Sequence, residues 1–596
     1  MELTDKYVPI KIKYLRGNHA PFMSKLLTQN MSHRTKLRNR FLKDPSSHNK
    51  AAYKIQRNKC VRILKSEKRR YYGNIDPKLI CDSKKIWKIV KPLFSDKSSS
   101  KCKVVLIENN EIVNDDEKVA EMFNIFFANV VKQMDIYNDV RLPLNNGANF
   151  SLNTILEAYS DHPSILKIKE IFQIELNSFV LDKTSGVAIS DAIKEIDTSK
   201  GGGLYDIPTK LLKMNNDICS VRICEVYNNS LSTHNFPTKL KAANITPVHK
   251  KDESTHKENY RPVSILPIVS KLFEKHMYSQ IYSYINQYLS ERLCGFRKGL
   301  NSQYSLISLL EKWKRYVDKH GVCAALLTDL SKAFDCLNHD LLIAKLHAYG
   351  FAESSLLYIS SYLRDRKQRT KMENSYSSWA NITSGVPQGS ILGPLLFNIY
   401  INDLFLFFEN CDITNYADDN TPFMCGENLD DVISQLEKNF LKLSKWFKTN
   451  NFKLNDKKSH LLVSNHDSGV SINIGGYTIP CSASEKLLGV CIDNTLKFEE
   501  HISCLCKKAN QKLHALARIS NYMSSAKLKM LMKSFVISQF SYCPLVWMFC
   551  SKRINNRINH IHERALRIAY NDRRSTFESL LDKDKSVPYM IEICNF

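Results

Sequence analysis

Two adjacent aspartates set between apolar runs constrain this chain more than any other feature. In NYADDNTPF, residues 415–423, Asp418 and Asp419 follow the run Ile413 to Tyr416 and precede Thr421 to Met424. That pattern predicts a β-hairpin with both acids at its turn. Like charges side by side repel, and a fold tolerates this best when a cation neutralises them. Carboxylate oxygens are hard ligands suited to Mg²⁺ or Mn²⁺. A solvated Asp-Asp turn would carry the same dipeptide, so the pair needs company before it means chemistry. Pro422 removes a ladder donor and predicts an edge position for its strand.

Company comes from two further segments. In CAALLTDLSKAFDCLNHD, residues 323–340, the apolar run Val322 to Leu327 lies between Gly321 and Asp329 and predicts a buried strand. A buried strand ending on a carboxylate would hold that oxygen rigidly, although a helix cap or turn would use an aspartate equally well. In SGVPQGSILGPLLF, residues 384–397, a Pro-Gln-Gly turn precedes a strongly apolar helix. Gly389 would let backbone approach a ligand closely, and Gln388 offers both a donor and an acceptor; an ordinary loop before a core helix has the same form.

The charge balance narrows the partner. The chain has 85 Lys and Arg against 60 Asp and Glu, a net charge of +25 over 596 residues. Such an excess points to a polyanion, most commonly nucleic acid. Arg34 to Arg70 is basic throughout apart from Asp44 and Glu67. It reads as an arm that tracks a phosphate backbone or as a solvated linker helix. The 17 cysteines include no CxxC pair, which fits a reducing compartment. Cys504 with Cys506, or Cys543, Cys550, His560 and His562, lack the spacing of a zinc site, so incidental thiols are the expectation. The N-terminus has no apolar signal core, and no run approaches eighteen apolar residues. An intracellular protein of nucleus or cytoplasm, with no membrane span, is expected.

Elsewhere, VAEMFNIFFANVV reads as an amphipathic helix ending near Val131, and 135–185 gives few signals. SDKSSSKCK, residues 95–103, reads as a linker. Thr198 to Gly203 marks a boundary before a helix near Asp206 and Pro208. Helices are predicted over Asp340 to Tyr349 and along the Leu429 to Phe447 stripe, and the order of elements suggests an α+β domain.

In this order and spacing, the segments resemble the reverse transcriptases of non-LTR (LINE-type) retrotransposons, the Jockey-like group in particular. TDLSKAFD is similar to the family's motif A, GVPQGSILGPLLF to motif B, YADD to motif C and NFKLNDKKSHLLV to motif D. PVHKKDESTHKENYRPVSILPIVSKLFEK and CGFRKG resemble the fingers motifs, and LLGVCIDNTLKFEEHI the join from palm to thumb. The likeness is strong over about 200–570 and extends weakly to residue 19. It implies a right-handed polymerase fold of fingers, palm and thumb with a basic, mainly helical N-terminal extension. The implied domains are a basic extension (1–100), a helical lead into the fingers (101–235), the reverse transcriptase domain (236–490) and a helical thumb region (491–596).

The same resemblance implies that Asp329, Asp418 and Asp419 hold two Mg²⁺ ions about 3.5–4 Å apart. The primer 3′-hydroxyl would then attack the α-phosphate of a dNTP in line, on an RNA template. Lys250 and Arg261 match residues that contact the triphosphate. Leu330, Gln388, Gly389 and Tyr416 match the nucleotide's surroundings, and Phe334 the steric gate below the sugar. Lys458 matches a lysine that protonates the pyrophosphate. The expected partners are template RNA, primer and target DNA, and dNTPs. Family members carry an endonuclease before this linker, and the expectation here is a chain that extends primers without nicking. A catalytically silent nucleic-acid-binding remnant is the alternative. An RNA-templated RNA polymerase fits less well, because YADD replaces GDD and Phe334 is bulky. A group II intron maturase fits less well because of the basic linker and residues 487–502.

Overall fold

Alternation and its absence decide which strands lie inside. Val322–Leu327 is buried along its length, as an apolar run between two covered faces must be. It joins an antiparallel four-stranded sheet in the order His460–Val463, Val322–Leu327, Asp419–Gly426, Asp412–Tyr416. Pro422 therefore sits in an interior strand, not at an edge. Its strand pairs with Val322–Leu327 from Phe423–Ala325 to Gly426–Val322, and a separate bridge joins Thr328 to Asn420. The interruption falls where proline has no N–H to give.

A second sheet has the order Tyr260–Ile265, Ala242–His249, Arg366–Met372, Ser375–Tyr376, with Ala380–Ile382 also paired to Arg366–Met372. Ala242–His249 and Arg366–Met372 run parallel. Tyr260–Ile265 alternates strictly, so Arg261 and Val263 face out while Tyr260, Pro262 and Ser264 face in. Asp116–Asn129 packs on the second sheet and Leu429–Thr449, behind its Asn428 cap, on the first, while His339–Ala348, behind Asn338, and the apolar Gly393–Ile401 pack against each other.

The computed structural model describes residues 20–80, 85–87, 103–134, 151–198, 203–204, 209–250, 252–408, 411–455, 458–466, 469–474, 477–548 and 551–589. Asp206, Pro208 and most of 95–103 lie outside them. The chain divides into two units, residues 103–496 and residues 1–102 with 497–596. In the second unit the basic segment is two helices, Lys25–Lys43 and Ser47–Gly73, tied where Gln56 Nε2 donates to the Asn30 carbonyl at 3.1 Å. Lys36, Arg38, Arg57, Lys59, Arg62 and Arg69 are exposed. Its C-terminal part is helical, with Arg553 and Arg557 of Lys552–Tyr570 bonded to Glu499 and Ser503 of Glu499–Ala517. No described helix is long and apolar enough to cross a membrane.

The silent stretch 135–185 contains helices Leu152–Ala158 and Pro163–Phe172. Each is short, and their caps, Ser151 and His162, give weak signals on their own.

Candidate active site

The hairpin forms as its pattern requires. Asp412–Tyr416 and Asp419–Gly426 pair with Tyr416 opposite Asp419, leaving Ala417 and Asp418 as the turn, with Ala417 at φ +59°. Thr328 N–H donates to the Asn420 carbonyl at 3.0 Å, and the Thr328 hydroxyl to the same oxygen at 2.8 Å. Continuing that register by one residue sets Asp329 opposite Asp419. Strand geometry thereby sets Asp329 beside Asp419, with Asp418 in the adjoining turn, at the ends of two neighbouring strands.

Their electrostatics record the crowding. Burial pushes the Asp419 carboxyl up to about 6, and the charges of Asp418 and Asp329 add to the rise. Asp418 is raised for the same reasons, burial first and then Asp329. Lys250 and Arg261 oppose the rise at both acids. Both cations are exposed on the Ala242–His249/Tyr260–Ile265 ladder, where Val248 pairs with Arg261 and Lys250 N–H donates to Asn259 O at 2.9 Å. Lys458 Nζ lies 3.4 Å from Asp329 Oδ2. Among the described residues no three His, Cys, Asp or Glu side chains are close enough together to hold an ion as they stand. The donor chemistry nevertheless fits a divalent cation: hard oxygens, like in charge, partly desolvated and opposed by two distant cations.

Several matched residues do something the sequence does not reveal. Gly389 has φ +117°, and a Cβ there would sit 2.9 Å from the Ser264 carbonyl. The glycine thus also admits the backbone of a neighbouring strand, Tyr260–Ile265. Gln388 Nε2 donates to both oxygens of Asp335, at 3.0 and 3.2 Å. Leu330 is 3% exposed and bridges Leu454, so a contact from it to a nucleotide would run through its main chain. The half-buried Phe334 stacks on Phe397 at 4.5 Å and meets Phe296 edge-on at 5.8 Å. Tyr416 is half-buried beside the turn.

Two residues that carry no motif signal hold the turn. Asn415 and Asn420 are fully buried. Asn415 Nδ2 donates to Ala417 O and to Asn420 Oδ1, both at 2.9 Å, and Asn420 Nδ2 donates to Asp418 O at 3.2 Å. Gly295 of CGFRKG backs them; a Cβ there would fall 2.3 Å from Ala417 N. Cys294 N–H donates to Asn415 O at 3.2 Å. An inward-facing asparagine in NYADDN is the signal that could have found them. The candidate zinc residues are not drawn together: Cys504 is exposed, His562 stacks on Tyr589, His560 bonds Glu563, and Cys550 lies outside the described residues.

Residues 248–492 match the family described as reverse transcriptase (RNA-dependent DNA polymerase). The chain is 27% identical over 396 residues to "Probable RNA-directed DNA polymerase from transposon BS" of Drosophila melanogaster, covering 64% of this chain and 44% of that protein. It is 25% identical over 356 residues to "Probable RNA-directed DNA polymerase from transposon X-element" of the same fly, covering 58% and 39%. Against "RNA-directed DNA polymerase from mobile element jockey" it is 23% identical over 396 residues, covering 64% and 43%. The chain spans less than half the length of these curated relatives.

Proposed function

We propose that this chain, which carries a reverse transcriptase domain and is related to the polymerases of the Drosophila jockey, BS and X-element non-LTR retrotransposons, extends a primer 3′-hydroxyl with dNTPs on an RNA template. The observation that carries the reading is that the charge of Asp329 reaches both Asp418 and Asp419, where burial and mutual repulsion hold the two hairpin acids above the usual carboxylate range. Divalent ions such as Mg²⁺, bound by these three carboxylates, would lower the pKa of the attacking hydroxyl and offset charge on the departing pyrophosphate.

The chain's own side chains supply the rest. Lys250 and Arg261 present cations toward the acids, as a triphosphate held between them requires; the Arg261 guanidinium could grip two oxygens at once. Lys458, paired with Asp329 at 3.4 Å, would turn to the leaving pyrophosphate and donate a proton. Phe334 offers the sugar an aromatic edge stiffened by Phe397. In this reading the four-stranded sheet is the palm and the five-stranded sheet belongs to the fingers. The helices of 497–596 are the thumb, and the basic helices of 25–73 are an RNA-backbone arm.

Primer extension on poly(rA)·oligo(dT) with Mg²⁺ tests the reading. Wild-type protein should incorporate dTTP and Asp418→Asn should not. Equal incorporation by the two would overturn it.

A further inference from the structure

Strand Arg366–Met372 breaks the usual pattern. Its buried face carries Arg366, Gln368 and Thr370 before Met372, where apolar side chains are the norm. Arg366 and Gln368 line a cavity of about 60 Å³ together with Lys241, beside the Ser384–Gln388 turn and the end of helix Asp116–Asn129. That volume is several times the roughly 10–15 Å³ that one water needs.

The cavity wall presents donors without acceptors. Arg366 is 3% exposed; its Nη1 donates to Tyr362 O at 3.0 Å, while Nη2 has no partner. Gln368 is 8% exposed and its Nε2 has none either. The ammonium of Lys241, 5% exposed, reaches the Ser361 hydroxyl at 3.5 Å, the limit of a hydrogen bond. Glu274 acts on Arg366 through space, and its carboxylate already accepts from Ile391 N–H, Leu392 N–H and the Ser270 hydroxyl. Asp365 acts on Lys241 in the same way from an exposed position. The acid on the cavity wall, Asp335, accepts from Gln388, and burial favours its neutral form. The Arg366 guanidinium also lies over the Tyr362 ring at 4.9 Å, and burial lowers the Lys241 pKa, but neither group has a bonded anion. Buried cations so placed are costly, and an anion in the cavity would relieve both.

We propose that this cavity binds a phosphate group, held by Lys241 Nζ, Arg366 Nη2 and Gln368 Nε2. The group is either a phosphodiester of a bound nucleic-acid strand or free orthophosphate. The site is separate from the three carboxylates and does not depend on polymerase activity.

Thermal unfolding of the full chain in EDTA tests this, with potassium phosphate set against potassium chloride at equal ionic strength and pH. Wild-type Tm should rise saturably with phosphate beyond the chloride control. Lys241→Met, and the milder Gln368→Leu in case the first disturbs the fold, should lose that rise. Equal shifts in phosphate and chloride for wild type, or a phosphate rise that survives in both variants, would overturn the proposal. Binding of poly(rA) over a salt series separates the sources. If the group is a strand phosphodiester, Lys241→Met should flatten the slope of log K against log salt by about 0.7, Gln368→Leu should weaken poly(rA) binding with the slope kept, and free phosphate should compete with poly(rA). If it is orthophosphate, the slope should stay unchanged while the thermal effect is lost.

Discussion

Two charged clusters in the same unit are buried on opposite terms. Lys345 and Asp403 are fully buried, and everything about them is matched. The ammonium donates to Asp403 Oδ1 at 2.5 Å and to the Tyr400 carbonyl at 2.7 Å, and Asp403 Oδ2 accepts from Trp446 Nε1 at 2.8 Å. At the hairpin, three carboxylates act on one another through space, with a half-exposed lysine on one and two exposed cations opposing them. The first cluster is neutral and saturated, as a group that only holds structure must be. The second keeps an uncompensated negative charge that folding alone would not retain, and Asp418 and Asp419 respond by rising in pKa. Structure balances its buried charge, whereas a site leaves room for a charge that arrives later.

The largest difference should appear in catalysis. Asp418→Asn should lower dNTP incorporation by on the order of 10⁴-fold or more, as loss of a residue central to the chemistry does. Its fold and its affinity for template should stay close to wild type, since asparagine keeps the shape and removes a repulsion. Single-turnover primer extension beside a template-binding titration measures both. Lys345→Met should do the reverse. Stripping one partner from a buried pair costs about 3–5 kcal/mol, so denaturant unfolding should show a large loss of stability, and whatever activity remains should follow the folded fraction.

The asparagine clasp sits between these extremes. Asn415→Ala removes the donor to Ala417 O and Asn420 Oδ1, and leaving buried acceptors unpaired costs about 1–3 kcal/mol. If the clasp positions the acids, the Mg²⁺ concentration for half-maximal extension should also rise several-fold, an effect that stability loss alone would not produce.

Phe334 asks which class a residue belongs to. As a gate, Phe334→Val should raise the rNTP over dNTP ratio of kcat/KM by roughly tenfold, about 1.4 kcal/mol of selectivity. As a core aromatic stacked on Phe397 it should depress both nucleotides together and leave the ratio unchanged. Matched single-nucleotide incorporation decides between them.

How much of this could be read beforehand follows from the same contrast. The buried strand Val322–Leu327 was visible residue by residue, because a bounded apolar run has few other uses, and the long stripe beginning at Leu429 gave its helix for the same reason. The hairpin was legible because apolar runs flank its two acids on both sides, where an adjacent pair of acids alone, such as Asp430 and Asp431, says little. Pro422 misled, since the local rule places proline at an edge while the long-range pairing inserts its strand between two others. That Gly389 also makes room for the Ser264 carbonyl was hidden, because the sequence cannot say which backbone comes close. The clasp and the cavity were hidden for a deeper reason. Asn415, Asn420, Arg366 and Gln368 are ordinary polar residues until tertiary structure buries them, and burial is what turns a polar side chain into a constraint.

The central claim is that the hairpin acids carry a charge penalty a cation would relieve, and Asp419→Asn tests it most directly. A carboxyl raised from 3.8 to about 6 in the folded chain imposes no penalty below about pH 4, where it is protonated folded and unfolded. The penalty grows as pH rises through that window and is complete above about 6. In EDTA at pH 8, urea unfolding should therefore find Asp419→Asn more stable than wild type by about 1–2 kcal/mol, allowing for partial solvent screening. The gap should close near pH 4, and saturating Mg²⁺ at pH 8 should stabilise wild type more than the variant. A variant less stable than wild type at pH 8 in EDTA, with no preferential response of wild type to Mg²⁺, would contradict the account.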